Sequence, residues 1–187
     1  MEQHELLLYA VECFEKLKVP YLITGSIASI AYGEPRFTND IDIVADIELN
    51  HISAVKDCFP EAEFYLEVES LKNAIRRRQQ FNIIHPSSGL KIDVIIPDLD
   101  DFDKSRFGRA KKLNISDVKS ADFAAPEDVI IKKLEYFQKG GSDKHLRDIA
   151  GVMKISGSMI DRTYIEIWTK KLGLWEIWRS VLDKLSD

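Results

Sequence analysis

An apolar run broken by a glycine-serine pair, then a second apolar run with carboxylates at alternate positions, constrains this chain more than any other feature. Tyr21-Leu-Ile-Thr stops at Gly25-Ser26, Ile27 to Tyr32 follows with a helical pattern, and Asp40-Ile-Asp-Ile-Val-Ala forms the second run. A β-strand alternates its side chains between faces, so Asp40 and Asp42 project together while Ile41 and Ile43 enter the core. Two carboxylates on one face repel each other unless a cation lies between them. Mg²⁺ takes oxygen ligands and is commonly held by one or two carboxylates plus substrate phosphates. A solvated outer face is the plainer account, and Asp-x-Asp alone leaves both readings open.

Two further stretches bear on that choice. In Lys91-Ile-Asp-Val-Ile-Ile, Asp93 has the opposite parity to Ile92, Val94 and Ile96, and an antiparallel neighbour would bring it beside Asp40 and Asp42. Three carboxylates suit two Mg²⁺ ions clamping the attacking and leaving oxygens of a phosphoryl displacement. Gly25 allows close backbone approach to a ligand, and the amides of a helix start attract phosphate oxygens. Ser26 either caps that helix or offers its hydroxyl to a phosphate.

The rest of the chain frames these residues. An amphipathic helix is expected from about Glu2 to Lys18, with Leu7, Ala10, Val11, Phe14 and Leu17 on one stripe, closed by Pro20. Helices are expected from Asn50 to Phe59 and from Ser70 to Arg78, a short strand around Glu63 to Tyr65, and a hairpin of Phe81 to Ile84 with Lys91 to Ile96. After Pro97, Asp98, Asp100, Asp101 and Asp103 give way to Lys104, Arg106, Arg109, Lys111 and Lys112, which reads as a surface excursion. From Pro126 onward only helices are expected: Pro126 to Lys139, Ser142 to Lys154, Asp161 to Lys171 and Leu174 to Leu185. The expected class is α+β, a small mixed sheet covered by helices and followed by a helical region. The boundary is drawn between a core of residues 1–120 and a helical subdomain of residues 121–187, packed against it.

At 187 residues there is room for one full core with an appendage. A 45% hydrophobic fraction excludes a disordered chain, and a net charge of −5 argues against a protein that coats nucleic acid. Cys13 and Cys58 fit no motif and are expected to be buried, as in a reducing compartment. Acidic Glu2 and Glu5 precede the first apolar residues, so no signal peptide or membrane span is expected and the cytoplasm is the default.

With Thr24-Gly25-Ser26, a spacer, and Asp40-Ile-Asp-Ile, the sequence resembles the polymerase-beta-like nucleotidyltransferase superfamily. Arg36-x-Thr38-x-Asp40-Ile-Asp42, Ala125-Pro-Glu-Asp-Val-Ile-Ile-Lys-Lys-Leu and Ser142-Asp-Lys-His-Leu-Arg-Asp-Ile are similar to its bacterial abortive-infection branch and minimal relatives. The resemblance spans roughly Tyr21 to Met153. It implies the nucleotidyltransferase fold, a catalytic metal set of Asp40, Asp42 and Asp93 holding Mg²⁺ or Mn²⁺, and phosphate binding by Gly25 and Ser26. Asp93 would also help deprotonate the acceptor. The implied reaction is attack of an acceptor hydroxyl on the α-phosphate of a nucleoside triphosphate, ATP among the candidates, with release of pyrophosphate. The acceptor stays open among a small molecule, a protein and an RNA. A catalytically silent nucleotide- or partner-binding protein, and a toxin-like transferase with an antitoxin-like partner, are the competing readings.

Other charged residues keep two readings each. Lys133 lies at the edge of the Ile130, Leu134 and Phe137 stripe, where its ammonium either reaches a triphosphate, as the family resemblance implies, or snorkels over the core. Arg36 either neutralises phosphate or belongs to the polar loop. Lys144 and Asp148 read as a solvated i,i+4 pair, although Asp148 matches a recurrent acid of the resembled segment. Arg76-Arg-Arg and the Lys104 to Lys112 cluster either contact an anionic acceptor or are solvated. Trp168, Trp175 and Trp178 read as packing.

Overall fold

The computed structural model describes residues 1–185 in full and residue 186 as backbone. Two compact units divide the chain. The first comprises Met1–Thr24 and Thr38–Phe123. It carries α1 (Gln3–Lys16), β1 (Tyr21–Ile23), β2 (Asp40–Ala45), α3 (Ile52–Cys58), α4 (Val68–Arg77), β3 (Gln80–His85), β4 (Leu90–Ile95), α5 (Asp101–Gly108), β5 (Lys111–Asn114) and β6 (Ser120–Phe123). The second comprises Gly25–Phe37 and the residues from Ala124 onward. It carries α2 (Gly25–Tyr32), α6 (Pro126–Gly140), α7 (Asp143–Ser156), α8 (Arg162–Lys171) and α9 (Trp175–Ser186).

In the first unit, α1 forms where the apolar stripe is expected, and Leu6, Leu7, Ala10, Val11 and Phe14 are buried. The Glu2 N–H donates to Glu5 Oε2 at 2.7 Å, occupying a donor that the helix itself leaves open. The strands make one mixed sheet in the order β3-β4-β2-β1-β6-β5. Antiparallel pairs are β1 with β2, β3 with β4 and β5 with β6; β2 runs parallel to β4, and β1 to β6. The β3–β4 hairpin stands as its turn chemistry predicts, with Gly89 at φ +70° in the left-handed conformation that suits glycine.

Alternation sorts the two faces of β2 and β4. Ile41 pairs with Ile92 and Ile43 with Val94, and Phe81 and Ile83 join them from β3. All six side chains are buried, each contributing about 1.5–3 kcal/mol by leaving water. The acids are carried on the opposite face.

Several local expectations need correction. Residues 63–65 make no strand, only the bridge of Tyr65 to Ile84. The stretch after Pro97 is no surface excursion. Asp100 caps α5 by accepting from the Asp103 N–H at 2.7 Å, and Asp103 and Arg106 form a buried ion pair. The basic half then supplies β5, an edge strand with exposed Lys111 and Lys112, a composition that discourages edge-to-edge pairing. Cys13 is buried as expected, whereas Cys58 is half-buried.

In the second unit the helices follow the expected series closely. Pro126 opens α6 at a first-turn position, with Glu127 and Asp128 in the same turn. Trp178 is fully buried; Trp168 and Trp175 instead lie under Lys171 and Lys170, whose ammonium groups are 4.6 and 4.5 Å from the ring centres. No helix among the described residues is long and apolar enough to cross a membrane.

One close approach in this unit is restrictive. A β-carbon on Gly33 would stand 2.8 Å from both Ser29 O and Val152 N, which are backbone atoms that no side-chain rotation can move aside. Gly33→Ala is therefore expected to cost about 1–3 kcal/mol, the range for overpacking. A denaturant titration checks this as a lower midpoint with an unchanged slope.

Candidate active site

The first unit presents a compact charged group on one face of β2 and β4. Asp42 stands directly opposite Asp93, and Asp40 opposite Lys91, so three carboxylates and one ammonium share that face. The strands are parallel here, not antiparallel as the sequence suggested. The register follows from matching apolar residues on the other face, since a one-residue slip would move every side chain across the sheet.

Asp93 is buried, and its Oδ2 lies 2.9 Å from Lys91 Nζ, which also stands 3.6 Å from Asp40 Oδ1. With its amide turned to donate, Asn82 of β3 reaches Asp93 Oδ1 at 2.8 Å. The hydrogen bond to Asp93 raises the Lys91 pKa, against the opposing effect of desolvation, so its ammonium is charged at neutral pH. The Thr24 N–H donates to Asp42 O at 2.9 Å, continuing the β1–β2 pairing up to the residue before Gly25.

Among the described residues, no group of three or more His, Cys, Asp or Glu side chains is disposed to hold a metal ion. The ammonium of Lys91 is instead the cation seated between Asp93 and Asp40. The donor set nonetheless suits a hard divalent cation: every acid offers carboxylate oxygen, and the face already accommodates a positive charge against two of the three.

The second unit brings together residues far apart in the chain. Gly25 opens α2 with φ +60°, a conformation in which a β-carbon would meet the adjoining carbonyl. Ser26 is buried, and its Oγ accepts from the Arg36 guanidinium at 2.6 Å. The same guanidinium grips Asp148 through Nε at 2.8 Å and its terminal nitrogen at 3.0 Å, a bidentate pair. Lys133 Nζ donates to the same Asp148 Oδ2, at 2.5 Å. Burial pushes the Asp148 carboxyl upward, but the hydrogen bonds from Arg36 and Lys133 outweigh it and hold its pKa below the usual carboxylate value.

Asp148 therefore joins Lys133 to Arg36, which in turn reaches Ser26, and sequence reasoning undervalued it. The i,i+4 spacing pointed to a solvated pair with Lys144. In the structure Asp148 is buried and bonds to Lys133 and Arg36, while Lys144 is exposed. Lys144 and Arg147 line a cavity of about 360 Å³ with Arg36 and Asp148. Lys133 does not snorkel either, being only 5% exposed. Lys91 was also missed; its parity with Asp93 in one strand was the available signal.

No protein-family model matches this chain, and no curated protein matches it by sequence. Solved structures do match in three dimensions. The antibiotic-resistance factor ANT(2'')-Ia is 12% identical, with a TM-score of 0.60 over 98% of this chain and 95% of its own. The lincosamide antibiotic adenylyltransferase LnuA in its lincomycin-bound form is 16% identical, with a TM-score of 0.52 over 83% of this chain and 98% of its own. An antigenic nucleotidyltransferase-like protein from Paracoccidioides brasiliensis is 17% identical, with a TM-score of 0.53 over 81% of this chain and 74% of its own. At these identities the likeness is one of fold.

Proposed function

We propose, taking the nucleotidyltransferase fold as premise, that this chain transfers a nucleoside monophosphate from a nucleoside triphosphate to a hydroxyl of a small-molecule acceptor. The observation that carries this reading is the direct register of Asp42 with Asp93, beside Asp40, on the charged face of β2 and β4. Asp40, Asp42 and Asp93 would hold Mg²⁺ or Mn²⁺, which when bound supplies charge neutralisation at the phosphates and polarises the reacting oxygens.

The chain's own residues have separable tasks in this reading. Gly25 and the first amides of α2 receive phosphate oxygens, as helix starts do. Within the second unit, Ser26, Arg36 and Lys133 gather around Asp148, and the hydroxyl and single net positive charge of that cluster suit a phosphate group. Asp93 accepts the proton of the acceptor hydroxyl as its oxygen bonds to the α-phosphorus. The bond from that phosphorus to the bridging oxygen breaks, and pyrophosphate leaves with the electron pair. Positioning and fixed charge contribute most of the rate in such a transfer.

A small-molecule acceptor is supported by neighbours of similar length whose names concern antibiotics, one of them solved with adenylyl-2''-tobramycin. The run Arg36-Phe-Thr-Asn-Asp-Ile-Asp supports placing the chain in the abortive-infection branch of the superfamily. The test is to supply each α-labelled nucleoside triphosphate with Mg²⁺ and a panel of hydroxyl-bearing aminoglycosides and lincosamides, then to follow label and pyrophosphate. Label on the small molecule with one pyrophosphate per transfer is expected. Tight nucleotide binding without pyrophosphate release would favour the silent binder, and label entering RNA or protein from a cell extract would favour the toxin-like transferase.

A further inference from the structure

We propose that Lys91 is a built-in counter-cation of the acid face, which a divalent metal must displace from Asp93 and Asp40 before the triphosphate is engaged. This rests on the metal-holding role assigned to Asp40, Asp42 and Asp93.

The geometry comes from one unit alone. Lys91 is register-paired with Asp40 across β2 and β4, and it precedes Asp93 by two residues on the same strand, so all three side chains leave the same face. Its ammonium meets Asp93 Oδ2 at 2.9 Å and Asp40 Oδ1 at 3.6 Å, occupying oxygen lone pairs that a magnesium ion would use at about 2.0–2.1 Å. A metal ion on those same two oxygens would stand against the ammonium at close range, and their mutual repulsion favours the flexible Lys91 side chain leaving.

The Lys91 side chain is suited to leaving. It is 33% exposed where that of Asp93 is 11% exposed, so the ammonium lies on the solvent side of the acid it holds. A four-carbon stem with free rotation lets it swing away while keeping its charge hydrated. While in place it relieves the repulsion among three carboxylates on one face, since like charges directly opposite across strands are destabilising.

The experiment is a Mn²⁺ titration without nucleotide, followed by the electron paramagnetic resonance of free Mn²⁺, on the wild-type chain, Lys91→Gln, Lys91→Arg and Asp42→Asn. Melting in chelator is measured in parallel. Lys91→Gln is expected to bind Mn²⁺ more tightly, on the order of tenfold, and to melt lower in chelator with recovery on adding Mn²⁺. Lys91→Arg is expected to behave like wild type.

Lys91→Gln that melts lower yet binds Mn²⁺ no more tightly would overturn the proposal, leaving Lys91 a structural ion pair. Asp42→Asn discriminates the underlying reading: Mn²⁺ binding that survives this change lies elsewhere, and the assigned metal role then fails together with the proposal.

Discussion

Asp42→Asn is expected to leave the chain folded and to lower nucleotidyl transfer by about 10²–10³-fold, the loss typical when one preorganised electrostatic group is removed from a reacting centre. The side chain keeps its shape and loses its charge. Because Asp42 faces Asp93 in register, neutralising it also removes a like-charge pair across β2 and β4. The melting temperature of the variant should therefore equal or slightly exceed that of wild type. Circular dichroism melting and steady-state transfer on the same preparation check both halves. Asp40→Asn offers the contrast, since it takes away a carboxylate 3.6 Å from Lys91 and should not gain stability in the same way. Full transfer by Asp42→Asn, or a loss that tracks unfolding, would remove the acids from the chemistry.

What the sequence revealed, and what it hid, follows from how far each signal reaches. Alternation within Asp40-Ile-Asp-Ile is local, and it placed the acids on one face and the isoleucines on the other correctly. The direction of the strand beside them is not local. Isoleucine and valine match equally well in either sense, and the parallel β2–β4 pairing depends on where β3 turns back. The edge strand β5 and its neighbour β6 are hard to read because Lys111, Lys112, Asn114 and Ser120 carry little apolar periodicity, so their composition resembles a solvated loop.

The hidden polar contacts share one cause. Asp103 and Arg106 sat inside charge blocks that look solvated when read along the chain, yet their helix buries them together. For Asp148, spacing on its own helix proposed Lys144, whereas the partners that count come from the loop holding Arg36 and from α6. Side-chain pairing rules within a helix cannot see either. Lys91 is hidden differently: it shares the parity of Asp93, but a lysine at a strand end reads as solvated unless the facing Asp40 of the neighbouring strand is known.

Asp148→Ala is expected to lower stability by about 3–5 kcal/mol, the cost of breaking a buried ion pair by removing one side of it. Asp148 is the shared acceptor of the Lys133 ammonium and both reaching nitrogens of Arg36, so its loss removes the carboxylate that neutralises two cations, one of them almost fully buried. Lys133→Met should cost less, because Asp148 keeps its bidentate pair with Arg36, and Arg36→Ala less still, since the Arg36 side chain is 27% exposed. Chemical denaturation of the three variants checks that order. The pH dependence has a definite sign. The folded-state pKa of Asp148 is depressed, so the stability it provides is present above the unfolded carboxylate value of about 3.9 and drains as pH falls through the folded value. Wild type should lose stability over that acid range, and Asp148→Asn should lose less of it. If Arg36 and Lys133 bind the triphosphate as proposed, Asp148 would act on it only through the cations it orients, as a positioning residue. Asp148→Asn, folded at neutral pH, should accordingly raise KM for nucleotide more than it lowers kcat, whereas a variant that merely loosened the helices would change both with the fraction folded.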